Sequence, residues 1–138
     1  MTSQQFLELT TLLQQAITSS NVEMQTILRS ILQSWSVFPN VVTASTANQE
    51  INLQNTPLVF LNLNNSTTLS FTGAQVGVYI FKITQGAGGS RTITWPSNVR
   101  WSGGTPPTLS TAAGTWDYIT FLFDGTYFSG TSTLNFVV

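Results

Sequence analysis

The sequence predicts a mainly β protein: an N-terminal α-helical, coiled-coil-like segment followed by an antiparallel β-sandwich or jelly-roll-like barrel. Three observations predict it. Thr2 to Trp35 contains no Gly or Pro and repeats its apolar residues at helical spacing. From Val41 onward, short runs of β-branched and aromatic residues are separated by Gly, Pro and Asn clusters. Between the two lies Trp35-Ser36-Val37-Phe38-Pro39-Asn40, where Pro39 lacks an amide hydrogen and biases Phe38 away from helix. The expected division is a helical oligomerisation or anchoring segment over residues 1–38 and a β-sandwich domain over residues 39–138.

In the first segment Phe6, Leu13, Ser20, Ile27 and Ser34 share one heptad position. Thr10, Ile17, Met24 and Ile31 fall between them at alternating spacings of four and three. The apolar members of this seam, Phe6, Leu13, Ile17, Met24, Ile27 and Ile31, are the expected oligomerisation residues. Burying them contributes on the order of 10 kcal/mol per chain before ordering costs. Ile at both kinds of seam position favours trimers over dimers, though Ser20 and Ser34 soften that preference. Ser20-Asn21-Val22-Glu23 reads as a capping box, so one long helix and two shorter ones both remain open. Leu7, Leu9, Leu12, Leu28 and Leu32 widen the stripe, which suits a bundle. Packing of this helix on its own domain is the alternative to self-association.

Strands are expected near Val41–Ala44, Glu50–Leu53, Leu58–Leu63, Thr67–Phe71, Val76–Thr84, Arg91–Trp95, Trp116–Phe123 and Thr126–Val137. Asn64-Asn65-Ser66, Gly73, Gly86-Ala87-Gly88-Gly89, Gly103-Gly104 with Pro106-Pro107, and Asp124-Gly125 punctuate them. Asp124-Gly125 is a hairpin signal, because both residues tolerate positive φ. Two strands are apolar on both faces: Val76, Val78 and Ile80 alternate with Tyr79, Phe81 and Ile83, and Trp116, Tyr118 and Leu122 with Ile119, Phe121 and Phe123. One face fills a core; the other has to meet a second sheet, a neighbouring subunit or a ligand. No internal sequence repeat is visible.

Composition removes most chemistry. The chain has no Cys and no His, which excludes disulfides, thiolates, Cys/His zinc sites and any Ser-His-Asp triad. It carries only four basic and five acidic residues in 138, so Ser, Thr, Asn and Gln wet its surface. No basic stripe invites nucleic acid. Near-zero net charge promotes association. The chain begins with Met and shows no basic, then apolar, leader, so no secretory signal is expected. Its apolar stretches fall far short of the roughly 20 residues of a membrane helix, so no membrane insertion is expected.

Carboxylates are the one acid/base option left. Asp117 and Asp124 lie seven residues apart on one extended segment, about 23 Å at strand rise and of opposite parity. Glycosidase carboxylates need roughly 5 to 9.5 Å. Asp124 is explained by its turn, and Asp117 either stands solvated or pairs with Arg91 or Arg100. The expectation is therefore a protein that is not an enzyme, with no catalytic residues, no metal and no cofactor. Gly86-Ala87-Gly88-Gly89 lacks the spacing and following helix of a dinucleotide fingerprint and reads as a flexible hairpin loop. Trp95, Trp101 and Tyr127 are candidates for stacking on a ligand such as a sugar, while Trp116 reads as core or rim packing.

The stretch Gly77-Val-Tyr79-Ile-Phe-Lys-Ile83, Arg91-Thr-Ile-Thr-Trp95-Pro96, Val99-Arg100-Trp101, Gly104-Thr-Pro106, Asp117-Tyr-Ile-Thr-Phe121 and Asp124-Gly125-Thr-Tyr127 resembles a pattern in bacteriophage virion β-domain proteins: tail fibres, head fibres and decorations. The resemblance covers roughly Gln75 to Gly130 and consists mostly of structural words. It implies a trimeric β-rich virion protein and brings no catalytic residues. With a β-module reached after a short helical segment of about 50 Å, the expected function is a trimeric capsid decoration, cement or short head-fibre protein. Its partners are then other copies, the major capsid protein or other virion proteins, and its location the virion, assembled in the host cytoplasm. The alternative is a receptor-binding tail-fibre tip that recognises a host surface glycan.

Overall fold

The structure is a computed structural model describing residues 2–19, 22–27 and 39–138. It divides into two compact units, Met1–Val37 and Phe38–Val138. In the first, helix α1 spans Ser3–Ser19 and residues 22–27 are also helical. A reciprocal capping box opens α1: the Gln5 amide donates to Thr2 Oγ1 at 3.1 Å and the Thr2 amide donates to Gln5 Oε1 at 2.8 Å. Phe6, Leu9, Thr10 and Leu13, one face at three- and four-residue spacing, are half-buried. Ser20, Asn21, Leu28, Ile31, Leu32, Ser34 and the boundary residues Trp35 to Phe38 lie outside the described residues, as does the side chain of Ile17.

The second unit has nine strands: β1 Asn40–Ala44, β2 Asn48–Asn52, β3 Leu58–Leu63, β4 Thr67–Thr72, β5 Gly77–Gln85, β6 Ile93–Thr94, β7 Val99–Trp101, β8 Trp116–Phe123 and β9 Phe128–Phe136. They form a six-stranded sheet in the order β1-β3-β5-β8-β9-β7 and a three-stranded sheet in the order β2-β4-β6. From β1 to β6 the chain crosses from one sheet to the other at every turn, so three rungs stack and their strands run parallel. Registers place Asn40 beside Val59 and Val59 beside Phe81 in the larger sheet, and Ile51 beside Phe71 in the smaller.

The expected mainly β architecture with an N-terminal helix is present, but the larger sheet is mixed and the smaller one wholly parallel, not antiparallel. Antiparallel pairing is confined to β5–β8 and β8–β9. The reason lies in the turns. Asn64-Asn65-Ser66 does not fold β4 back on β3; it carries the chain to the other sheet, with the Asn64 and Asn65 amides donating to the Ala44 carbonyl of the rung before (3.0 and 2.9 Å). Gly73 (φ +69°) turns the next corner, where a Cβ would come within 2.7 Å of Asn52 Oδ1. Only Asp124-Gly125 makes the expected hairpin, with Phe123 opposite Phe128.

Between the sheets lies one core. The larger sheet supplies Val59, Leu61 and Leu63 from β3, Tyr79, Phe81 and Ile83 from β5, and Ile119, Phe121 and Phe123 from β8. Ile51, Leu69 and the partly buried Phe71 come from the smaller sheet. Phe71 joins the layers: its ring lies 5.4 Å from Phe81, 5.9 Å from Phe121 and 5.1 Å from Phe128. Such tilted and edge-on pairs add about 0.5–1.5 kcal/mol each beyond area burial.

Candidate functional site

Asp117 is 1% exposed, on the inward face of β8 beside Ile83. It is neither solvated nor turned to Arg91 or Arg100. The Ser110 amide donates to Oδ2 at 2.8 Å, while the Ser110 hydroxyl (2.6 Å) and the Asn135 amide (2.9 Å) donate to Oδ1. The acid thus pins the long connection between β7 and β8, and the end of β9, where Asn135 takes a positive φ of 68°. Gln85, 3% exposed, does the same for the β5–β6 connection: its side-chain amide donates to the Arg91 carbonyl (2.8 Å) and accepts from the Arg91 amide (3.0 Å). Sequence reasoning missed both roles. Strand parity carried the signal for Asp117, since Ile119, Phe121 and Phe123 share its face.

At the far end of β8, Asp124 sits in the exposed hairpin turn. Its Oδ1 accepts the amides of Thr126 (2.8 Å) and Tyr127 (2.7 Å). The bonds from Tyr127 and then Thr126 favour the ionised form and hold this carboxyl below its ordinary value. The two acids are therefore in different surroundings, one under the core and one in a solvated turn. Among the described residues no three Asp, Glu, His or Cys stand together as a cation site, and no helix is long and apolar enough to cross a membrane.

Of the three aromatic candidates, Trp95 and Trp101 come together and Tyr127 is of a different kind. The two Trp rings lie 5.2 Å apart, each 5.6 Å from Phe121, and are half-buried at the edge of the core. The Trp101 ring packs close against Gly130, where a Cβ would come within 2.8 Å of its Cε3 and 2.9 Å of Phe121 Cε1. Tyr127 is 42% exposed, with the Arg100 guanidinium carbon 4.5 Å from its ring centroid.

Phe6 and Leu13 belong to the half-buried face of α1. Met24 and Ile27, in the helical residues 22–27, are exposed, and so are Leu7, Leu12 and Val22. In the β unit the outward face of the six-stranded sheet is apolar over part of β1, β3, β5 and β8, while β9 turns out Ser129, Thr131 and Thr133. Val41, Val78, Ile80 and Leu122 are exposed on it. Trp116 also points outward, stacked on Phe136 at 5.9 Å, and does not enter the core. Lys82, paired in register between Phe60 and Tyr118, sets its Nζ 4.8 Å from the Trp116 ring and 5.8 Å from Phe60. By contrast the outward face of the three-stranded sheet shows Asn48, Glu50, Asn52, Thr68, Ser70 and Thr72.

Comparison with family models, with curated proteins and with solved structures found no match.

Proposed function

We propose that this chain is a structural bacteriophage virion protein, a trimeric capsid decoration, cement or short head-fibre protein that acts by binding. The observation that carries the reading is the set of apolar side chains open to solvent on the helical unit, Leu7, Leu12, Val22, Met24 and Ile27. A helical segment with such a surface is made to be covered. Two further features support the reading: both β-domain aspartates hold backbone amides and loops, and the Gln75 to Gly130 stretch resembles virion β-domains. Repeated on a lattice, weak contacts of many copies add effective affinity.

The test is the mass of the purified chain in solution and its position on particles. A trimer that resists dilution and decorates heads at lattice spacing is expected. A micromolar monomer that never copurifies with virions would sink the reading. Tyr127, exposed beside Arg100, favours one second reading, a tip module that stacks on a host glycan. Host-cell or glycan-array binding lost on Tyr127→Ala, with an unchanged thermal midpoint, would select it.

A further inference from the structure

The two edges of the six-stranded sheet are bare on the same level. Rows of paired residues run across the sheet from edge to edge. One joins Asn40 to Ser132 through Val59, Phe81 and Ile119, and the next joins Val41 to Thr133 through Phe60, Lys82 and Tyr118. On the far side β7 covers β9 only from Phe128 to Gly130. Beyond Gly130 no backbone group of the described residues pairs with the outer edge of β9. Strand β1 therefore borders the sheet on the rows where β9 is open.

Direction and phase agree as well. Strands β1, β3 and β5 are parallel, β8 is antiparallel to β5 and β9 to β8, so β1 and β9 run the same way. Along a strand the N–H and C=O of one residue point to one side, and those of the next to the other. The Phe128 amide donates to the Asn98 carbonyl on the β7 side, so Ser132 turns its N–H and C=O to the bare edge. The Ala44 carbonyl accepts the Asn64 amide on the β3 side, so Val41 and Thr43 face away from the sheet. In a parallel ladder each residue bonds to the two that flank its partner, so the facing residues are staggered by one row. Ser132 stands in the row of Asn40 and Val41 in the next, which is that stagger.

The smaller sheet is closed to such an addition. The Ala47 carbonyl and the Leu53 amide bond to β4, so the carbonyls of Asn48, Glu50 and Asn52 face its open side. Each takes a side-chain donor: Thr46 Oγ1 at 2.7 Å, Gln49 Nε2 at 3.0 Å and Asn40 Nδ2 at 3.0 Å. Among the described residues no side chain caps Val41, Thr43 or Ser132 in this way, and Asn40–Ala44 and residues 131–136 contain no Lys, Glu or Pro to blunt an edge. What β1 lacks is a strand on its own level, running its own way and staggered by one residue, and β9 of a second copy is such a strand. Rotation about an axis along the strands keeps both level and direction, so one contact repeated closes a ring. A strand of unrelated sequence would match in all three respects only by chance.

We propose that β1 of one copy pairs in parallel with β9 of the next, Asn40 beside Ser132 and Val41 beside Thr133. The Ser132 amide then donates to the Pro39 carbonyl of the neighbouring copy, and the neighbour's Val41 amide donates to the Ser132 carbonyl. The inference rests on the reading of the chain as self-assembling and names where the β units join.

The chain contains no Cys, so Val41→Cys with Thr133→Cys in the full chain places one thiol on each edge, both at exposed positions. Within one copy the two lie five strand spacings apart, about 24 Å, well beyond the roughly 7 Å Cα separation that a disulfide allows. A disulfide between them therefore joins copies, with diamide taking up the two electrons and two protons that the thiols lose. The expected product on a non-reducing gel is a closed covalent ring with the chain number that sedimentation gives before oxidation. It should form about a hundredfold faster than any product of either single variant, because paired thiols stand at about millimolar effective concentration and free chains at about micromolar. Should this pair fail to fold by circular dichroism, Asn40→Cys with Ser132→Cys in the adjacent row gives the same readout. An oligomer that does not crosslink overturns the edge pairing and leaves assembly through the helical unit standing. Val41→Cys alone crosslinking as fast as the pair means that two β1 edges meet across a two-fold axis, which also overturns it. Products longer than the sedimenting oligomer mean open addition and overturn the ring. A monomer at every concentration, with no crosslink, overturns both readings.

Discussion

Asp117 shows how a carboxylate, the one acid/base type that composition left, can serve structure alone. It accepts three hydrogen bonds from neutral donors while 1% exposed. Asp117→Asn turns one carboxyl oxygen into a donor facing another donor, so one bond is lost and one group is left unsatisfied. A destabilisation of about 1–3 kcal/mol is expected in urea unfolding. Asp124 offers a contrast because its effect titrates. Its folded value is depressed, so its contribution is complete above the unfolded carboxyl value and is lost as pH falls through the folded one. The thermal midpoint of the wild type should exceed that of Asp124→Ala near neutral pH, and the gap should close as the solution is acidified towards the lower end of the carboxylate range. Gly130→Ala drives a methyl into Trp101 and is expected to cost about 1–3 kcal/mol, with a shift in tryptophan emission. Of these three roles, the Asp124 turn was legible in the sequence as Asp-Gly. The Asp117 role was half legible through strand parity. Gly130 was illegible, because the ring that needs its missing Cβ lies on β7, far away in sequence.

Among the elements, α1 rests on its first turn. Thr2→Ala removes the cap and should lower helix content and stability by about 1 kcal/mol, read by circular dichroism. The strands with strong alternation were the most legible: Leu58–Leu63 and Trp116–Phe123 have the bounds expected from their pattern. Pro96, which cannot donate to a ladder, closely follows β6, which pairs only at Ile93 and Thr94. Strand β7 went unseen, since three residues are too few to show a period. Pairing direction was the larger miss. Turn residues announce that a chain changes direction, but they do not say whether it returns in the same sheet or enters the facing one.

For the whole molecule, the rung stack and the hairpin share one core, and Phe71 is where the two layers are joined. Phe71→Ala removes three ring contacts at once and should cost about 3–5 kcal/mol, with one cooperative transition retained. The same stack, with β1 and β2 at one end of their sheets and β8-β9 following β5 in the larger, fixes how such a molecule can change size. Each rung from β1 to β5 uses roughly twenty residues and repeats the backbone pairing of its neighbour. Inserting one residue within a strand would exchange its inward and outward side chains and ruin both faces. Inserting a whole rung would only lengthen the stack. The height of the β unit is therefore quantised, and length variants that fold should differ by complete rungs, leaving the loops tied down by Gln85 and Asp117 as they are.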